Sequence, residues 1–514
     1  MIGSNEVFLL IKSLSRNEKG YFKKYSSKHT LAEGNFYVEL FDELDAQEEY
    51  NEEKIKKQLG KKRVKNFPSE KNYLYKLILR SLNEFYHNNS IERELRDLLN
   101  SVELLFAKSL YKQCEKFLLK AEKLALRFEK YSIQLEITDW RTRVIVAQAK
   151  FDELKNFIPE SEKSKNSAIE KYKNLSEYRV LEGKMLMLTK TLGYPRTKAE
   201  SEKYRQLIQT PVLRSKEKAL GFWAQFHFYN IFNFYYDAIG KKDKLYEYRK
   251  KLIDFAESDK EKINDDQIRY LVALNNLVNI QDELAKDEEV YVTLDKIRSV
   301  KSRSAEIQIR IFTYVYTMLF TRNIIRGDFE KNTLILPEVE EGLRKYSNKM
   351  HKEFLLAIRY NCFYTFFGTS NFSASLKWLN QILNDRYIES RKDIYSSARI
   401  MYLILHYELG NADLLTYAIE STKRYFKKQE RLFRFEEFML RFIEKIAPLS
   451  RRAEEKKVFQ ELKEKLIEIK KDALEIQVVA FFDFDSWVEA KLSGKTFAET
   501  VRESVAANFA NDRK

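Results

Sequence analysis

Phe363-Tyr364-Thr365-Phe366-Phe367-Gly368-Thr369-Ser370-Asn371-Phe372-Ser373-Ala374-Ser375-Leu376-Lys377-Trp378-Leu379 is the stretch from which the fold is read. It joins a long apolar-periodic segment to a shorter one through a glycine. Beyond the turn, Phe372, Ser375, Leu379 and Ile382 recur at i, i+3, i+7 and i+10, the spacing that places residues on one helix face. A glycine suits the end of the first helix because it takes the left-handed conformation past a C-terminus without a Cβ penalty. The arrangement recurs. Gly240, Gly327, Gly368 and Gly410 each follow a long periodic segment and precede a second, and the last three are 41 and 42 residues apart. The 87 residues from Gly240 to Gly327 hold two such periods, with a turn at Ala285-Lys286-Asp287 between them. Behind the turns lie the stripes Leu245, Tyr248, Leu252, Phe255; Val290, Thr293, Ile297, Val300; and Leu415, Ala418, Thr422, Tyr425. The stripe Phe329, Asn332, Leu336, Val339 fits less well, because Asn332 and Pro337 disturb it. One stripe marks any amphipathic helix. A stripe repeated at a near-constant period behind a turn marks hairpins that bury their apolar faces only by stacking.

Composition points the same way. The 514 residues include 13 Gly and 6 Pro, too few turn-formers for sandwiches, barrels or βαβ alternation. Charged residues make up 33% and aromatics 14%, which fits helices with one solvated face and one face of large packing residues. Length alone allows two to four domains or one extended array. The best strand candidate, Ile476 to Phe484, is short. Capping boxes are expected at Ser15–Glu18, Asn264–Gln267 and Thr496–Glu499. Cys114 and Cys362 sit in helical patterns and read as small core residues, so neither a disulfide framework nor a cysteine-based zinc site is expected. The longest uncharged stretch, Ala219 to Tyr236, contains Gln225, His227, Asn230 and Asn233. It reads as a buried helix rather than a membrane span. With no basic n-region or apolar h-region at Met1–Glu6, a cytoplasmic protein without membrane association is expected.

Ser109-Leu110-Tyr111-Lys112-Gln113-Cys114-Glu115-Lys116-Phe117-Leu118-Leu119-Lys120-Ala121 places an aromatic after the turn, a small residue three on, a large one seven on and an alanine ten on. It resembles the second half of a tetratricopeptide (TPR) repeat, and Asn371–Leu379 is similar. The resemblance covers roughly residues 91–447 at the level of architecture. It implies an all-α fold, a right-handed α-α superhelix of helical hairpins with a concave groove, and it names no ligand. The period, about 42 residues, is longer than the ~34 of that family and nearer HEAT-like lengths, and the full family signature is never complete. The expected organisation is a helical N-terminal module at 1–90, the hairpin array at 91–447, least regular over 158–214, and C-terminal capping helices at 448–514. Phe459, Leu462, Leu466, Ile469 and Ala473 repeat like a coiled-coil seam for about two heptads, which fits a capping helix better than a dimerisation zipper.

Chemistry is hard to find. None of His29, His87, His227, His351 and His406 has a second His four residues on, and there is no phosphate-binding glycine loop or nucleophile elbow. The expectation is a non-catalytic protein with no cofactor, no metal and no catalytic residue. Three features can carry binding. Asn230 and Asn233, then Asn275, Asn276 and Asn279, then Arg399, Tyr402 and His406, are polar residues on otherwise apolar long helices. In a superhelix of helix pairs the first helix of each pair lines the groove, where an amide can grip a peptide backbone through donor and acceptor. The competing reading is structural, since a buried amide must be satisfied somewhere. The aromatics of Phe222–Tyr229 can stack on a partner but fit interhelical core packing. The basic run Lys54–Lys65, with Lys56, Lys57, Lys61, Lys62, Arg63 and Lys65, is a candidate phosphate contact or a solvated loop. Net charge is +15, with 92 basic and 77 acidic residues, which permits an acidic partner or nucleic acid without requiring either. A scaffold that holds a protein or peptide in its groove is the first expectation. A nucleic-acid- or ribonucleoprotein-associated regulator, with a basic N-terminal helical module and a peptide-sensing solenoid, is the second.

Overall fold

The computed structural model describes residues 5–29, 36–60, 66–86, 90–192, 195, 197–385, 392–428, 433–449, 452–471 and 481–511. Among them are 25 α-helices, two 3-10 turns and no strand. The strand candidate at 476–484 falls largely outside the described residues. Contacts divide the chain into two compact units, Met1–Asp266 and Gln267–Lys514.

The first unit opens with α1 (Glu6–Ser13), α2 (Arg16–His29), α3 (Phe36–Ala46), α4 (Glu52–Leu59) and α5 (Phe67–Phe85). Buried residues from Val7 to Ile78 form one apolar cluster here. The capping box at the start of α2 is formed: Ser15 N–H donates to Glu18 (2.5 Å), and Glu18 N–H donates to the Ser15 hydroxyl (3.3 Å). Then come α6 (Ile91–Ala107), α7 (Tyr111–Arg127), α8 (Tyr131–Ala147) and α9 (Phe151–Leu192). After α10 (Lys198–Ile208) and 3-10 turns at Pro211–Leu213 and Lys216–Lys218 follow α11 (Phe222–Ala238), α12 (Lys242–Glu257) and α13 (Lys260–Asp265). The section read as least regular is thus mostly one 42-residue helix, α9, which continues through Pro159.

The second unit holds α14 (Gln267–Glu283), α15 (Asp287–Ser299), α16 (Ala305–Ile325), α17 (Phe329–Tyr346), α18 (Lys352–Gly368), α19 (Phe372–Leu383), α20 (Lys392–Glu408), α21 (Ala412–Lys428), α22 (Arg434–Ile446), α23 (Arg452–Ile469), α24 (Phe484–Ser493) and α25 (Phe497–Asn511). α14, α16 and α18 pack side by side, and α15, α17, α19 and α21 each sit against the first helices before and after them. No capping box forms at 264–267. Asn264 lies inside α13, which Asp259 caps, and the Gln267 side chain donates to Lys301 O (3.1 Å).

Eight turns among the described residues share one backbone device. Ser109, Glu129, Ala149, Gly240, Ala285, Gly327, Ser370 and Gly410 are left-handed, with φ from +53° to +71°. In each, the next N–H reaches the carbonyl five residues back, as from Lys241 to Tyr236 (3.0 Å), Asp328 to Asn323 (2.8 Å) and Asn371 to Phe366 (2.9 Å). This closure satisfies a carbonyl that the ending helix would leave bare. From 240 to 410 it recurs at intervals of 45, 42, 43 and 40 residues. Gly368 is not its left-handed residue. It ends α18, and Ser370 takes the turn. Gly368 provides space instead, because a Cβ there would lie 2.1 Å from the Phe329 ring.

The stripes behind the turns are buried. Leu245, Leu252, Val290, Thr293, Ile297, Ser375, Leu379, Leu415, Ala418 and Thr422 all face the core. So does Asn332, which belongs to its stripe after all: its amide donates to Phe320 O (3.4 Å) and Thr365 (3.2 Å) and accepts from Asn323 (2.8 Å). Cys114, Asn332 and Ser375, each five residues past a left-handed turn, all donate to the carbonyl twelve residues earlier. Such a bond pins the second helix of a hairpin to the first at a fixed height. Phe459, Leu462, Leu466 and Ile469 of α23 are buried within the chain's own core, where Phe459 meets Phe442 and Trp487. Ala473 lies outside the described residues.

Candidate peptide-binding cleft

α16 and α18 of the second unit face the described residues from Phe481 onward. That segment leaves Phe481–Asp483 non-helical before α24 starts. The Tyr360 hydroxyl donates to Phe481 O (3.1 Å) and lies 2.9 Å from the Ser397 hydroxyl. One turn on, the Tyr364 hydroxyl accepts from the Asp483 N–H (2.9 Å). Two phenols on α18, four residues apart and so on one face, thus hold a carbonyl and an amide of passing backbone. Between these contacts Phe482, 2% exposed, enters an aromatic nest. Its ring centroid lies 4.9 Å from Phe367, 5.1 Å from Tyr364 and 5.3 Å from Phe497. Burial pushes both phenols well above the ordinary tyrosine range, so they stay protonated and hydrogen-bonding.

The rest of the segment is anchored by charge and capping. Asp483 caps α24 by accepting from Ser486 N–H (3.0 Å). The Trp487 indole donates to Glu408 (2.7 Å), which also pairs with Lys491 (2.5 Å). The capping box at the start of α25 is formed, with Thr496 and Glu499 bonded reciprocally at 2.8 and 3.3 Å. From α25, Arg502 donates to Gly327 O (3.0 Å).

Beside Phe481–Phe484 a cleft of about 780 Å³ remains open. Its walls are Ile324 and Ile325 of α16, Ala357 and Asn361 of α18, and Val501 and Val505 of α25. Thr321, Asn361 and Ser504 supply uncharged polar groups. Lys470 stands at one side, paired with Asp485 and near Asp483, and burial holds its ammonium below the usual lysine range. The cleft is therefore mainly apolar, with scattered donors and acceptors and a neutralised ion pair. That composition suits apolar side chains and a polypeptide backbone better than a free anion.

None of the eight polar residues singled out in sequence lines this cleft. Asn230 donates to Glu182 (3.1 Å), whose other oxygen contacts the His227 ring. Asn233 is buried, and its side-chain oxygen has no hydrogen bond among the described residues. Asn275 and Asn276 are half-buried and Asn279 is exposed. Arg399 donates to the Tyr395 hydroxyl (3.0 Å), and its guanidinium lies over the rings of Tyr395 and Tyr425 at 5.3 and 4.9 Å. Tyr402 and His406 stack edge-on at 4.4 Å, His406 bonds Asn411 (3.1 Å), and burial lowers the pKa of its ring. Of the basic run, Lys56 pairs with Glu52 (2.8 Å) and Glu53 (3.2 Å), Lys57 is exposed, and Lys61, Lys62, Arg63 and Lys65 lie outside the described residues. The aromatics of Phe222–Tyr229 are core, with Phe222, Trp223, Phe226, Phe228 and Tyr229 all buried. Tyr360, Tyr364 and Phe482 went unnoticed in sequence. The signal available was Phe481-Phe482-Asp483-Phe484-Asp485, an aromatic-acidic run too short for a strand and placed between helices.

Among the described residues no helix is long and apolar enough to cross a membrane, and no three His, Cys, Asp or Glu side chains come together as a metal site would require. Compared with known proteins, the chain is matched by no family model, no curated protein and no solved structure.

Proposed function

We propose that the chain is a non-catalytic, tetratricopeptide-like scaffold that takes a short, aromatic-bearing peptide segment of a cytoplasmic protein into the cleft beside Phe481–Asp483. One observation carries this reading. Tyr360 and Tyr364 already hold a non-helical stretch of this chain's own backbone by one carbonyl and one amide, while Phe482 fills an aromatic nest. The contact joins two elements of extended-peptide recognition, backbone hydrogen bonds and a pocket for one side chain, here offered by helices rather than by a sheet edge. The adjoining cleft has the size and the apolar lining to receive a second such segment. Its uncharged polar groups give that segment's backbone partners.

Isothermal titration of the full chain with synthetic peptides of the Phe-Phe-Asp-Phe type tests the reading. Saturable one-to-one binding, lost when the phenylalanines are replaced by serine, is the expected result. Heat-silent titrations across the whole panel would show that the cleft is not a peptide seat.

A further inference from the structure

The long helix α9 is apolar on two opposite faces. One, with Phe157, Ala168, Leu175, Tyr178, Leu181 and Met185, is buried in the first unit. The other carries Phe151, Ile158, Ile169, Val180 and Met187, which remain 67, 52, 51, 52 and 59% exposed. Eighteen residues make five turns of α-helix. Phe151, Ile169 and Met187 therefore share one azimuth around the helix, with Ile158 and Val180 about 20° to either side. Scattered exposed apolar residues are ordinary, but an aligned row along one helix marks an interaction surface.

The spacing identifies the occupant. The intervals between the five residues are 7, 11, 11 and 7, the same read from either end, and Ile169 is the midpoint. A two-fold axis at Ile169 lays two copies of α9 antiparallel, with Ile169 against itself, Ile158 against the partner subunit's Val180, and Phe151 against the partner subunit's Met187. An isologous contact requires this self-complementarity, whereas a lipid surface or an unrelated protein does not. Polar positions between the apolar ones are compatible with it. Glu162 comes opposite Ser176, and Lys165, which comes opposite Lys173, is neutralised by Asp139 at 2.6 Å. Centred on Ile169, the two helices overlap over residues 151–187, about 55 Å of length; at ~10 Å width each copy offers about 550 Å². Two copies then bury about 1,100 Å², just above the ~1,000 Å² that a specific interface must clear. We infer that the chain forms an antiparallel two-fold dimer through the exposed face of α9, centred on Ile169.

Sedimentation equilibrium of the full chain between 1 and 100 µM tests this, with a dimer at twice the 61.5 kDa chain mass expected. Ile169→Glu places two like charges against each other at the axis. It should weaken dimerisation about 100-fold or more while leaving the thermal melt unchanged, because the side chain is exposed. Oxidation gives the second readout, since Cys114 and Cys362 are buried and stay silent. Ile169→Cys should cross-link to itself. Ile158→Cys and Val180→Cys should cross-link when mixed and not singly. A monomer at 100 µM, a dimer indifferent to Ile169→Glu, or cross-linking that does not follow this pairing overturns the proposal. So does a monomer that co-sediments with vesicles containing phosphatidylserine in an Ile169-dependent way, which would assign the face to an anionic membrane instead.

Discussion

Two phenol hydroxyls do the most specific work in the second unit. The buried Tyr364 accepts from the Asp483 amide, and the buried Tyr360 donates to the Phe481 carbonyl, of a half-buried stretch beside the cleft. Tyr364→Phe removes the partner of the Asp483 N–H, and Tyr360→Phe removes the partner of the Phe481 carbonyl and of the Ser397 hydroxyl. Each is expected to cost about 0.5–1.5 kcal/mol, the net worth of an intramolecular hydrogen bond, measured by urea unfolding of the full chain. A loss below about 0.5 kcal/mol would mean that water replaces the phenols and that the backbone is not gripped. At this scale the sequence names polar residues but not their partners. Asn230, Asn275 and Arg399 stand out because they are polar on apolar helices, but polarity on a helix does not say which neighbour answers it. Glu182 answers Asn230 and Tyr395 answers Arg399. The tyrosines that hold backbone look like ordinary core aromatics until the distant segment at 481–483 is brought beside them.

At the level of elements the eight left-handed turns form a series that separates backbone strain from crowding. Gly240 and Gly327 share nearly the same conformation, φ +66° and +71°. A Cβ on Gly240 would meet nothing within 4 Å, but one on Gly327 would lie 2.9 Å from the Arg502 side chain and 3.0 Å from Ala498 O. Gly240→Ala should therefore cost only the left-handed penalty, about 1–2 kcal/mol, and Gly327→Ala measurably more. Ser370→Gly relieves that penalty at φ +57° and should stabilise the chain by up to about 1 kcal/mol. Thermal melts of the three variants check the order; equal losses at 240 and 327 would show that α25 does not press on that turn. The hairpins were legible in sequence because glycine marks several of these turns and Ala285 was placed by spacing alone. Ser370 was missed because a nearby glycine, kept for Phe329, drew the turn two residues early. Register was also partly hidden. The stripes starting at Leu245, Val290 and Leu415 begin five residues after the left-handed turn, and those starting at Phe329 and Phe372 begin two after it. Residues three apart share a helix face, so periodicity cannot tell these alignments apart.

At the scale of the whole molecule, the excess of positive charge coexists with carboxylates held tightly ionised. Asp259 is lowered from 3.8 to about 2, chiefly by hydrogen bonds from Arg127, and Glu52 from 4.5 to about 2, chiefly by Lys56 and then Lys71. Their folded pKa values lie below the unfolded ones. The stability they contribute is therefore complete above the unfolded values and is lost as pH falls from about 4.5 toward 2. Melting temperature should drop through that window, and less steeply in Asp259→Asn; a profile identical in the variant would remove Asp259 from the account. The architecture also explains why the cleft was hidden from sequence reasoning. Its walls come from α16, α18 and α25, and Ile324 and Val501 are 177 residues apart along the chain. Local pattern reveals hairpins, but it does not reveal which distant segment lies across them. The claim that this cleft receives a peptide is tested most directly at Ala357, a small half-buried residue on its wall. Fluorescence anisotropy of a labelled Phe-Phe-Asp-Phe peptide should show saturable binding to the native chain and at least a tenfold weaker Kd for Ala357→Trp, whose indole fills the space, with the melt preserved. Equal affinity for both proteins would contradict the account, because the peptide would then be bound somewhere other than this cleft.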